Sequence, residues 1–155
     1  MSTSDRPSGL TALAVINFVT GTFQFFSAVA FLLRRFVFSQ RFEGRELGED
    51  EHHAEGLQAL LDVPVVESLV YSSLYLAAAL LLIVTGVGYL KRKKFFGRHL
   101  TTVYVICDLG ALALMFAWLP ESYIRDLGIA VLRMAFYPLF IGAVIHTVFR
   151  RDLMR

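Results

Sequence analysis

Disulfides, catalytic signatures and charge are all scarce in this chain, and each shortage removes a class of protein. A single cysteine, Cys107, leaves no intramolecular disulfide within these 155 residues. There is no Gly-x-Ser-x-Gly, His-Glu-x-x-His, phosphate loop or Cys-x-x-Cys. The chemistry those arrangements serve has no carrier, so an enzyme is not expected. Charged residues make up only 18% of the chain and hydrophobic ones 56%, whereas a soluble domain is about one-quarter charged. Internal repeats and low-complexity segments are also missing.

Long apolar runs are what the chain does have. They occupy about 10–33, 65–90, 99–119 and 127–149, and each reaches the roughly 18 to 20 residues that cross a hydrocarbon core. Backbone groups find no water there, so a spanning segment is a helix or part of a closed barrel, and runs without alternating polarity indicate helices. The expectation is an all-α membrane protein: one membrane domain, 1–155, with four transmembrane helices in an antiparallel bundle and a long first loop outside, about 34–64. Punctuation agrees, with Arg34 and Arg35 after the first run, Pro64 opening the second, Trp118 and Pro120 closing the third. Pro138 is expected to kink the fourth. Ala28-Val29-Ala30 imitates a signal-peptidase site, but Arg6 stands beside Asp5 and Asn17 and Gln24 interrupt the run, which favours a retained helix.

Basic residues set the expected orientation. Arg6, Lys91, Arg92, Lys93, Lys94, Arg98, Arg150, Arg151 and Arg155 fall on one side, nine in all, against five on the other, Arg34, Arg35, Arg41, Arg45 and Arg125. Short Lys- and Arg-rich segments stay cytoplasmic. Both termini are therefore expected inside a cell inner membrane; Arg34 and Arg35, at the disfavoured edge, are what a reversed orientation would rest on. The hairpin Lys91, Arg92, Lys93, Lys94 and Arg98 anchors topology and attracts anionic lipid headgroups, at about 1 kcal/mol per basic residue. Pinned at a bilayer, it is not expected to bind nucleic acid. In the first loop, Glu55 to Leu61 reads as a short interfacial helix.

Polar side chains within the runs form an expected intramembrane network: Asn17, Gln24, Thr85, Asp108, Arg133 and His146. On the first helix, Asn17, Thr20, Gly21, Gln24, Ser27 and Ala28 follow one face; on the third, Thr101, Tyr104, Asp108, Ala111 and Met115 do the same. Small pairs, Ser73 with Ala77 and Ala113 with Ala117, offer close backbone approach. Asp108 needs the most explanation. An ionised carboxylate at the bilayer centre costs about 2.5 kcal/mol or more, so it faces a bundle interior, an aqueous cavity or a partner. From the run boundaries, Asn17, Thr85, Asp108 and His146 fall in the cytoplasmic half, and Gln24 and Arg133 in the outer half. Asp108 has two candidate arrangements, a pair with Arg133 or a protonated carboxyl bonded to Asn17 or Thr85. Arg133 is alternatively turned to the outer headgroups, to Glu67 or to another subunit.

Glu49, Asp50, Glu51, His52, His53 and Glu55 include a Glu-x-x-His spacing, yet no further carboxylates accompany it from other helices, so a solvated loop is expected and no metal or cofactor. The segment Arg6-Pro7-Ser8-Gly9-Leu10, and Gly86-Val87-Gly88-Tyr89-Leu90 before a basic turn with Gly97-Arg98, resemble small bacterial four-helix integral membrane proteins. That resemblance implies a bacterial inner-membrane location and brings no activity or functional residue. The expected role is an accessory, structural or assembly subunit of a larger membrane complex or homo-oligomer. The alternative is a proton- or ion-linked channel or transporter using Asp108, Arg133 and His146.

Overall fold

The computed structural model describes residues 8–38 and 62–149. Every regular element among them is helical. Helix α1, Ser8–Leu33, runs on into a π-helical turn, Arg34–Phe38. Helix α2 spans Val65–Leu90. A second π-helical turn, Phe95–His99, feeds α3, Leu100–Trp118, and the chain then forms α4, Glu121–Leu127, and α5, Ile129–Thr147. Three stretches, Gly9–Val37, Val65–Leu90 and Phe95–Trp118, are long and apolar enough to cross a membrane. A shorter apolar helix, Val131–Thr147, accompanies them.

Three boundaries differ from the sequence reading, each for a local reason. The run expected over 127–149 is divided at Gly128, whose φ of 44° and ψ of −114° lie where residues bearing a Cβ are rarely found. What reads as a loop after Pro120 is therefore the short helix α4. The third helical stretch starts at Phe95, four residues ahead of the expected His99, because Phe95–His99 is already helical. Arg34 and Arg35 do not end the first helix either. The Arg35 side chain folds back and donates from Nη2 to the Val63 carbonyl at 2.9 Å, which ties together the two described ends of the first connection. Pro138 is buried, and α5 continues as a helix on both sides of it.

The tightest turn follows α2. Arg92 takes φ 51°, its N–H donates to the Tyr89 carbonyl, and the Lys93 N–H donates to the Gly88 carbonyl. This pair of bonds is a Schellman motif, which satisfies the last carbonyls of a helix. The same turn folds the Phe96–Gly97 backbone onto Gly88, so that any Cβ at 88 would fall on main-chain atoms.

Helix α1 lies along α2, α2 along α3, and α3 along α5. Two apolar clusters result. One, near the hairpin, gathers Leu10, Leu13, Ala14, Leu82, Tyr89, Tyr104, Ile141 and Ile145; the other, near the first connection, gathers Phe31, Val63, Tyr71, Tyr75, Met115, Tyr123 and Met134. Outside them the exterior is apolar too: Val19, Phe23, Phe26, Val66, Ile106, Phe116, Leu132 and Phe136 are each more than half exposed. Water tolerates contiguous apolar surface of this extent poorly. Lipid tails solvate it readily, and with three long apolar helices it marks a helical membrane protein. The segment 55–61, the acidic and histidine-bearing part of the first loop with Arg41 and Arg45, and Arg6, Arg150, Arg151 and Arg155 lie outside the described residues.

Candidate functional site

Helical spacing places Asn17 on the inward face of α1, against α2 and α5. Its amide donates from Nδ2 to Thr85 Oγ1 at 2.9 Å and accepts at Oδ1 from the Tyr137 hydroxyl at 2.6 Å. Thr85 passes its own proton to the Leu82 carbonyl at 2.8 Å. Each donor points one way, from α5 through α1 to the backbone of α2. A neighbouring pair, Tyr89 and Thr101, bonds α2 to α3 at 2.6 Å, and Thr101 also donates to the Gly97 carbonyl.

Asp108 forms a second group. It is 2% exposed, with Gln24 Nε2 donating to Oδ1 at 2.6 Å and the Tyr104 hydroxyl donating to Oδ2 at 3.2 Å. Both carboxyl oxygens thus have a donor. The predicted partners Asn17 and Thr85 bond each other instead. The reason is depth: a helical stretch that starts at Phe95 instead of His99 places Asp108 about 6 Å further along the helix. That puts it level with Gln24, two turns along α1 from Asn17.

Arg133 does not reach Asp108. Its Nη2 donates to the Tyr75 hydroxyl at 3.3 Å, and its guanidinium carbon sits 4.5 Å from the centre of the Phe23 ring. Among the described residues no carboxylate lies within ion-pair distance of it, so neither the Asp108 pair nor the Glu67 contact forms. Phe23 and Tyr75 hold the cation by ring face and hydroxyl in their place. Beside it is a cavity of about 60 Å³ lined by Ser27, Phe31, Tyr71, Tyr75, Tyr123 and Arg133, with Leu127 and Met134.

His146 stands apart from all of these. Its Nε2 shares a hydrogen bond with the Thr102 hydroxyl at 3.0 Å, and Arg98 Nε donates to its Nδ1 at 3.4 Å. No hydrogen bond connects it to Asp108. In the hairpin, Lys91, Lys93 and Lys94 are exposed and Arg92 and Arg98 half-buried, so the lysines are open to headgroups. Among the described residues no group of three or more His, Cys, Asp or Glu is placed to hold a metal ion; Glu49 and His52 lie outside them.

No family model matches the chain, and neither curated proteins nor solved structures provide a match. The site is therefore read from its own chemistry. The residues that sequence reasoning underweighted are the tyrosines. All six are buried or half-buried, and all six belong to or adjoin the groups above: Tyr137 at Asn17, Tyr104 at Asp108, Tyr89 at Thr101, and Tyr75, Tyr71 and Tyr123 at the Arg133 cavity. A signal was present, because a tyrosine deep in an apolar run must find a partner for its hydroxyl.

Proposed function

We propose that this protein is a four-helix inner-membrane protein, antiparallel, with both termini cytoplasmic, acting as an accessory, structural or assembly subunit of a larger membrane complex or a homo-oligomer. The observation that carries the reading is the closure of the Asp108 carboxyl: both oxygens are taken by side chains of α1 and α3, and Asn17, Thr85 and Tyr137 close a separate three-helix group. A buried polar set of this kind fixes which helix meets which, at about 0.6 kcal/mol per bond on average. What remains for interaction is the apolar exterior. On α5 it presents Ile129, Leu132, Phe136, Leu139 and Phe140, all exposed, with Phe136 and Phe140 stacked at 6.1 Å.

Transport linked to a proton or ion, through Asp108, Arg133 and His146, has less support. Each of the three is bonded within a different group, and no hydrogen bond links one to another. Native mass measurement of the protein in mild detergent, with identification of co-purifying chains, tests the subunit reading. Self-association or a stoichiometric second membrane protein is expected; a lone monomer overturns it.

A further inference from the structure

The Arg133 cavity gathers hydrogen-bond donors, and no carboxylate is among its lining residues. Arg133 carries a fixed charge and no carboxylate within reach among the described residues. The Tyr75 hydroxyl accepts from it and keeps its own proton to give. The Tyr71 hydroxyl, which also lines the cavity, makes no hydrogen bond among the described residues. Around them the lining is Phe, Leu, Met, Ser and a further Tyr, with no acidic side chain. Ser27 has already given its proton to the Phe23 carbonyl. A guanidinium and two phenols lining a largely apolar cavity are complementary to an oxyanion. The space, about 60 Å³, equals two waters at roughly 30 Å³ each, room enough for one such group.

The cavity continues into a groove. Phe18, Val19, Thr22, Phe23, Phe26 and Ala30 form a shallow apolar concavity along the outer face of α1, and Ser27 lines both it and the cavity. Phe23 belongs to the groove and carries the Arg133 guanidinium on its ring. From Ala30 to Phe18 the groove runs about 18 Å at the helical rise, along the middle of the Gly9–Val37 stretch.

We infer that α1 and the Arg133 cavity together bind one anionic membrane lipid, its headgroup oxyanion held by Arg133, Tyr75 and Tyr71 and an acyl chain laid along Phe26 to Phe18. This is separate from the exposed lysines of the hairpin at the other end of α2.

The test uses the full chain in phosphatidylcholine bilayers carrying chain-spin-labelled phosphatidic acid or, in parallel, chain-spin-labelled phosphatidylcholine, with the motionally restricted fraction read by electron paramagnetic resonance. The anionic label is expected to be restricted with about tenfold preference, the scale of one charge-assisted hydrogen bond. Arg133→Gln is expected to abolish the preference, and Tyr71→Phe to lower it about threefold. The second variant removes a hydroxyl on which no fold contact depends, so it decides the matter even if the first fails to fold. Lys93→Gln with Lys94→Gln is expected to leave the preference in place. Retention in Arg133→Gln or Tyr71→Phe, loss in the lysine variant, or displacement of the label by equimolar inorganic phosphate overturns the lipid site, the last by pointing to a soluble oxyanion.

Discussion

The two ends of this molecule use the same kinds of residue to opposite effect. Near the hairpin, the buried polar side chains among the described residues all have partners and the backbone is in contact: Asn17, Thr85 and Tyr137 are bonded in series, Tyr89 meets Thr101, and Gly86 and Gly88 bring neighbouring segments within touching distance. Near the first connection, tyrosines and an arginine surround an opening, and the Arg35 Nε and Ser68 Oγ are buried without partners. In a bilayer, helices gain no hydrophobic drive for meeting one another, so close packing and polar bonds must hold them. The hairpin end supplies both. The opposite end has less of each, and Arg133, Tyr75 and Tyr71 line a space there. One end thus maintains the fold, and the other has capacity left to bind.

Substitutions that break the closed end should have the largest effect. Gly88→Ala places a methyl on the Phe96–Gly97 main chain, which has no rotamer by which to yield. Overpacking of this kind costs about 1–3 kcal/mol and more where only backbone can move. Thermal unfolding in detergent should show Gly88→Ala as the most damaging of three alanine variants. Gly21→Ala, which meets the Ile83 side chain at 2.8 Å, should be intermediate, and Gly110→Ala, with only Leu74 at 3.4 Å, should be close to wild type. An inverted order would mean that the hairpin does not clamp α2.

Asp108 lies between the two ends and has the next largest expected effect. Asp108→Leu strands the Gln24 amide in an apolar interior, and an unmet buried donor costs about 1–3 kcal/mol. Adding Gln24→Leu should restore part of that loss, since the Tyr104 hydroxyl is then the donor still left without Asp108. A double-mutant cycle in which the second change adds its own full penalty would show that the two residues do not act as a pair.

How far the chain announces this arrangement varies by residue. The inward faces are readable from helical period alone: Thr101, Tyr104, Asp108, Ala111 and Met115 are all buried, and so are Asn17, Gly21, Gln24 and Ala28. Small-residue pairs are not a guide, because Ser73, Ala113 and Ala117 are exposed and the close approaches occur at Gly21, Gly86 and Gly88. Depth is the harder quantity. Asp108 meets Gln24 and not Asn17 because the helical stretch starts one turn early, through a π-helical segment that apolar period does not encode. Pairing across helices is harder still: nothing local to Arg133 says that it will rest on Phe23 and Tyr75 while a carboxyl stands in the same interior. Such contacts depend on helix rotation, which only the assembled packing determines.

At the open end, effects on stability should be small. Arg133→Gln loses one 3.3 Å bond to the Tyr75 hydroxyl and a contact with the Phe23 ring, and it also removes a half-buried charge. These terms oppose one another, so a change within about 1 kcal/mol is expected, against the larger penalty for Asp108→Leu. A loss as great as that of Asp108→Leu would make Arg133 part of the clamp and remove the contrast between the ends.

The smallest predicted effect has the opposite sign. The Ser68 hydroxyl is fully buried on α2 and makes no hydrogen bond among the described residues, while the carbonyl of the same residue already accepts from Ser72. Replacing it with alanine removes an unmet polar group and leaves the backbone bond in place. Relief of a buried hydroxyl is worth about 1 kcal/mol or somewhat more, less the small void left by one oxygen atom. Ser68→Ala should therefore unfold at the same temperature as wild type or slightly above it. Thr85→Ala, at the closed end, removes a hydroxyl of similar burial that has both a donor and an acceptor partner, and should unfold below wild type. Two hydroxyl deletions on one helix with opposite signs would place the division between the ends within α2 itself; a destabilised Ser68→Ala would require the Ser68 hydroxyl to have a partner at the first connection, and the two ends would then be equally closed.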